Sequence, residues 1–181
     1  MIKSVELCLK HERLIDSRKK FVFQSGYTAI IGPNGSGKSS LLRAIQGCDK
    51  CEKCLEGHTR VSLFDSELMN PHRFEEKFQG VEGSLIKVRA MFSSHGETMR
   101  DVLKNFQFKK GDVFLLDEPE SGQDLGWMMK IRKGLNRIAK EGCQVIVSTH
   151  HPVFWTKTNQ VISLKTNYAQ KLQKDFKNLS R

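Results

Sequence analysis

Gly32-Pro33-Asn34-Gly35-Ser36-Gly37-Lys38-Ser39 fits the pattern G-x-x-x-x-G-K-[ST] at every constrained place. An apolar stretch, Tyr27 to Ile31, precedes it, and a helical pattern from Lys38 to about Gln46 follows. Phosphate binding needs these residue types here. Glycines let backbone N–H groups approach phosphate oxygens, and a helix N-terminus adds a favourable dipole. Lys38 reaches the β- and γ-phosphates as a point charge, and the hydroxyl of Ser39, with Ser40 beside it, is placed to coordinate Mg²⁺.

Asp117-Glu118 closes the apolar run Val113-Phe114-Leu115-Leu116. An acid at the C-terminal edge of a buried parallel strand lies beside the phosphate site in folds of this kind. Asp117 is expected to hold Mg²⁺ through water, and Glu118 to polarise the attacking water as general base. His150 follows the next apolar run, in Ser148-Thr149-His150-His151-Pro152, where an imidazole can reach the γ-phosphate. Directly after the phosphate-loop helix, Cys48, Cys51, Cys54 and His58 form C-x2-C-x2-C-x3-H. Thiolate and imidazole are ligands that Zn²⁺ prefers, and four complete a tetrahedral site. The first three cysteines also match a ferredoxin-type spacing, with His58 in place of the fourth cysteine and no proline after it. A packed stripe of reduced thiols stands beside the zinc reading, because a continued helix would put all four residues on one face.

The elements that must position these groups are legible in the hydrophobic pattern. Val5, Leu7 and Leu9 alternate with polar residues, and Phe21 to Phe23 and Tyr27 to Ile31 make two more strands. Val61 to Phe64, Val113 to Leu116, Val145 to Val147 and Val161 to Leu164 add four, the continuous apolar runs marking buried parallel strands. Residues 72–108 look helical, broken at Gly80, Gly83 and Gly96. Gln123 to Lys140 reads as an amphipathic helix, with Trp127, Ile131, Leu135 and Ile138 on one face and Lys130, Lys133, Arg137 and Lys140 on another. Tyr168 to Asn178 reads as a basic terminal helix. Strands alternating with helices predict an α/β domain with a mainly parallel sheet.

The chain has 181 residues, one domain's worth, with a net charge of +10. No run approaches the roughly 18 apolar residues of a membrane span. Residues 1–20 are charged throughout, unlike a signal peptide, so a cytoplasmic location is expected. Five cysteines in such a chain do not suggest a disulfide scaffold, and Cys8 and Cys143 sit in apolar alternations like small core residues. The charge is uneven: residues 101–125 carry six acids and three bases, while 165–181 carry five bases and one acid. A basic excess away from the acidic motif suits either a nucleic-acid partner or a solvated face.

In order along the chain, the phosphate loop, Leu115-Leu116-Asp117-Glu118-Pro119 and Ser148-Thr149-His150 resemble the motifs of the ATP-binding-cassette ATPase superfamily. The resemblance implies a P-loop NTPase fold, with a mainly parallel sheet flanked by helices, antiparallel N-terminal strands and a small helical subdomain. It divides the single domain into a nucleotide-binding core at about 1–65 and 110–165, a helical signature subdomain at about 66–109 and a basic tail at 166–181. It implies ATP and Mg²⁺ as ligands and hydrolysis as the reaction, with Asp124 at the aspartate position of the loop after Glu118. The signature Leu-Ser-Gly-Gly-Gln is matched at Phe92 to Glu97, where Ser94 and Gly96 fit, His95 replaces glycine and Glu97 replaces glutamine. Such variants are similar to small stand-alone ATPases related to DNA-repair and chromosome-maintenance heads. In the superfamily this serine caps the ATP of a partner subunit, which implies a two-fold homodimer closed around ATP. Asp65, Glu67 and Gln79 compete for the glutamine-loop role, and Arg13, Arg18 and Phe21 for the adenine platform. The expected function is an ATPase working through a separate effector protein in a nucleic-acid-associated process. The alternatives are the cytosolic ATPase subunit of a transporter and a slow ATP-dependent switch.

Overall fold

The computed structural model describes residues 1–15, 18–57, 59–65 and 108–179. Among these described residues, eight strands fall into two sheets. Strands β1 (Ile2–Glu6), β2 (Lys20–Val22) and β4 (Glu52–Leu55) form an antiparallel sheet in the order β2-β1-β4. The second sheet is parallel, in the order β5-β6-β7-β3-β8, from β3 (Tyr27–Ile31), β5 (Val61–Asp65), β6 (Val113–Asp117), β7 (Gln144–Ser148) and β8 (Gln160–Ser163).

Every residue of β3, β6 and β7 is buried, because both faces of this sheet are covered. Alternate side chains divide the core in two. Ile30, Leu115 and Ile146 point to one side, where they meet Leu41, Leu42 and Ile45 of α2 (Lys38–Gly47) and Ile2, Val5 and Phe21 of the antiparallel sheet. Ala29, Phe114, Leu116, Val145 and Val147 point to the other, against Met128, Ile131, Leu135 and Ile138 of α3 (Leu125–Lys140). Burial of each large aliphatic side chain on α3 contributes about 1.5–3 kcal/mol. Lys130, Lys133, Arg137 and Lys140 lie exposed on the opposite face, as the helical period requires. The short α4 (Pro152–Trp155) and the terminal α5 (Tyr168–Leu179) complete the described elements, and Trp155 meets Phe176 with ring centroids 6.2 Å apart.

Gln144 joins the two sheets. Its side chain is fully buried, accepts from the Ile2 backbone N–H at 2.8 Å and donates to the Ile2 and Gln24 carbonyls at 2.9 and 3.0 Å. Two elements differ from the sequence pattern. The alternation Val5, Leu7, Leu9 suggests one strand, yet β1 stops at Glu6 and α1 (Leu9–Leu14) begins, with Leu9 74% exposed. The stretch after α2 does not continue as a helix. Cys48 ends α2, and β4 pairs with β1, Ser4 opposite Cys54 and Val5 opposite Lys53. No helix among the described residues is long and apolar enough to cross a membrane.

Candidate active site

The strand order sets the site. β7 lies between β6 and β3, so the segments leaving all three C-terminal ends converge on one edge of the parallel sheet. The loop Gly32 to Gly37 leaves β3 and enters α2. Gly37 caps that helix at φ 91°, in the left-handed region that suits glycine, and no side chain caps the helix. The first helical N–H groups therefore stay available to an anion. Gly32 is held to glycine by close approach, because a Cβ there would lie 2.4 Å from Ser36 Oγ. That Ser36 hydroxyl is buried and has no hydrogen-bond partner among the described residues. An unsatisfied buried hydroxyl inside a loop of this shape suits a phosphate oxygen as its partner.

Lys38 is 5% exposed, and its ammonium donates to the carbonyls of Gly32 and Pro33 at 3.3 and 3.4 Å. The same ammonium lies 2.6 Å from His150 Nε2 and 3.6 Å from Glu118 Oε1. Burial pulls the Lys38 pKa below its ordinary value, and the Glu118 carboxylate opposes that pull. His150 Nε2 also lies 3.2 Å from Glu118 Oε1. One ring nitrogen cannot accept from Lys38 and donate to Glu118 together. The shorter contact makes Nε2 the acceptor, so both it and the carboxylate face the ammonium. The structure thus brings together three of the sequence-predicted residues, from three separate segments.

Asp117 is buried at the end of β6 and accepts a hydrogen bond from Ser148 Oγ on β7. The carboxylate of Asp117 and the half-buried hydroxyl of Ser39 are hard oxygen donors, the set that Mg²⁺ takes. Glu118 turns the chain away from β6 at φ 46°, while its N–H donates to the Ser148 carbonyl at 3.0 Å. Asn34 and Gly35 are exposed at the loop tip, and Pro33 and Ser40 are half-buried.

Sequence reasoning missed Glu120. Its Oε1 accepts from Thr149 Oγ1 at 2.8 Å and from the His150 N–H at 2.6 Å, so it pins the loop that carries His150. A third acid within four residues of Asp117 was the available signal. Asp124 caps α3, accepting from the Trp127 N–H at 2.9 Å. Phe21 is fully buried in the core and presents no face to a base, while Arg18 lies over its ring at 4.6 Å. The signature residues Ser94, His95, Gly96 and Glu97 lie outside the described residues, as do Glu67 and Gln79.

The cysteine expectation needs correction. Cys48 and Cys51 come together, but with Cys8 and His11 rather than with Cys54. Cys54 is exposed on β4, because the chain leaves α2 as a strand and the helical spacing is lost. His58 lies outside the described residues. Cys8, expected as a core residue, is half-buried with its sulfur 3.2 Å from His11 Nδ1.

Comparison with known proteins fits this geometry. A family model described as "AAA domain" matches residues 8–48, and one described as "AAA domain, putative AbiEii toxin, Type IV TA system" matches residues 106–155. The zinc import ATP-binding protein ZnuC of Wolbachia pipientis wMel is 27% identical over 177 residues, covering 83% of this chain and 72% of ZnuC. ZnuC of Vibrio cholerae serotype O1 is 26% identical over 193 residues, covering 91% and 73%. The dimeric structure of MJ0796, a bacterial ABC transporter cassette, superposes with a TM-score of 0.51 at 17% identity, covering 81% of this chain and 85% of that one. These likenesses lend no support to the DNA-repair and chromosome-maintenance subgroup, or to a nucleic-acid-associated process. The five-stranded parallel sheet, the loop and strand-end motifs in their order, and these relatives agree at the broader level. The chain is an ATPase with the P-loop NTPase fold, and it is similar to the ATP-binding proteins of the cassette type.

Proposed function

We propose that this chain is the ATP-hydrolysing subunit of a membrane-transport assembly, closing as a pair of cassettes and driving a separate membrane-embedded partner. The observation that carries this reading is the similarity to ZnuC proteins along most of both chains, with the phosphate loop, Glu118 and His150 converging on one sheet edge.

ATP lies along Gly32 to Ser40, with backbone N–H groups and the Ser36 hydroxyl on its phosphate oxygens. Lys38 exchanges its contacts with His150 and Glu118 for the β- and γ-phosphates. Its buried, depressed charge is restored by the anion it binds. Ser39, and Asp117 through water, would hold Mg²⁺, which would supply charge neutralisation at the phosphates. Glu118, released from Lys38, takes a proton from the attacking water, and His150 contacts the γ-phosphate. The likeness of Ser94, His95, Gly96 and Glu97 to the signature supports a role for them at the ATP of a partner copy, and that of Asp124 a role between the two sites.

The test is co-purification. The Glu118→Gln form, which holds ATP without turnover, is drawn from detergent-solubilised membranes of the native cell with ATP and Mg²⁺. A multi-span membrane protein retained in stoichiometric amount is the expected result. A chain recovered alone from membranes, but bound to DNA with a steep loss at higher salt, contradicts the transport reading.

A further inference from the structure

Away from the nucleotide site, four side chains are gathered in a way that apolar packing does not require. Cys8 precedes α1 and His11 lies within it, while Cys48 ends α2 and Cys51 lies in the turn before β4. One ligand atom from each falls within 4.8 Å of all the others. The two pairs are separate in the chain, but each is built the same way. A turn closed by the His11 N–H to the Cys8 carbonyl at 2.9 Å brings the first pair onto one side. A turn closed by the Cys51 N–H to the Cys48 carbonyl at 3.3 Å does so for the second.

The distances have the size of a coordination tetrahedron. Metal–sulfur bonds of about 2.3 Å and a metal–nitrogen bond of about 2.0 Å require S···S edges of about 3.8 Å and S···N edges of about 3.5 Å. The Cys8 and Cys48 sulfurs are 3.9 Å apart, and His11 Nδ1 lies 3.2 Å from the Cys8 sulfur and 3.5 Å from that of Cys51. The same sulfur pair is too far apart for a disulfide, whose bond is about 2.05 Å, and all five cysteines are free. The Cys8 backbone N–H donates to the Cys51 sulfur at 3.4 Å, an outer-shell bond of the kind that orients a thiolate ligand. An imidazole nitrogen turned into a group of three sulfurs has a reason in metal binding and none in core packing.

We infer that Cys8, His11, Cys48 and Cys51 bind one Zn²⁺ in a closed Cys₃His site that clamps the end of the phosphate-loop helix to the β1–α1 junction. Each thiol loses its proton to solvent on binding, and the neutral imidazole ligates through Nδ1. The site is structural, since four protein ligands leave no open position for water or substrate. Its place in the fold ties α2, which begins at Lys38, to the antiparallel sheet.

The test uses the full chain, stripped with chelator under reducing conditions and titrated with Co²⁺ alone. One equivalent is expected, giving the d–d bands of tetrahedral cobalt and thiolate-to-cobalt charge transfer, and Zn²⁺ should displace it. His11→Ala and Cys51→Ser should each weaken Co²⁺ binding at least about 100-fold. Cys54→Ser and His58→Ala should leave it unchanged. If Cys51→Ser fails to fold, the half-exposed His11 variant carries the test by itself. An octahedral-type spectrum, substoichiometric binding, or loss of binding on Cys54→Ser or His58→Ala overturns the assignment.

Discussion

Glu120 holds the backbone from which His150 projects. Replacing it with alanine frees Thr149 Oγ1 and the His150 N–H and lets the imidazole drift. A small misplacement of a group near the reacting phosphate costs about 10- to 100-fold in turnover. Glu120→Ala is therefore expected to lower kcat by that factor with little change in KM, and Glu120→Gln, which keeps an acceptor oxygen, to recover most of it. Steady-state ATPase assays of both variants check this, and an equal rise in KM for the two contradicts it. Residues at this scale were unevenly legible in the sequence. Lys38, Asp117 and Glu118 announce themselves by spacing and by standing at the ends of apolar runs. Glu120 does not, because its role depends on hydrogen bonds across two loops that are about 30 residues apart in the chain. The cysteines misled for a related reason: local spacing favoured Cys54 and His58, whereas Cys8 and His11 come from a distant turn.

Between elements, Gln144 is the join that a hydrophobic pattern does not reveal. It opens β7 as a polar residue at full burial and carries three hydrogen bonds to backbone groups of the N-terminal segment. Gln144→Leu keeps the volume but orphans the Ile2 N–H and two carbonyls. The expected loss is about 2–3 kcal/mol of stability, since each unsatisfied buried group costs about 1–3 kcal/mol. Denaturant unfolding measures it, and an unchanged midpoint removes Gln144 as the bridge. The buried strands β3, β6 and β7 were readable because a sheet covered on both faces demands continuous apolar runs. α1 and β4 were not. α1 begins at a cysteine rather than at a serine, threonine or acid that would mark a helix start. β4 is a strand at the sheet's edge, mostly exposed, without apolar alternation.

For the molecule as a whole, the basic surface invited a nucleic-acid reading that its likenesses do not support. The exposed lysines and arginine of α3 are the solvated face of a helix whose other side packs on the parallel sheet. The likeness to cassette-type ATP-binding proteins rests on order and topology, with three motifs on adjacent strand ends. We propose Glu118 as the base at a site where Lys38 gathers the phosphates. A general base contributes about 10²- to 10⁴-fold to rate. The most direct measurement is single-turnover ATP hydrolysis by the Glu118→Gln chain, at nucleotide and Mg²⁺ concentrations shown to saturate both it and the unaltered protein. If Glu118 is the base, ATP binding is retained and hydrolysis slows at least about 100-fold. Hydrolysis at the unaltered rate, with ATP fully bound, contradicts it.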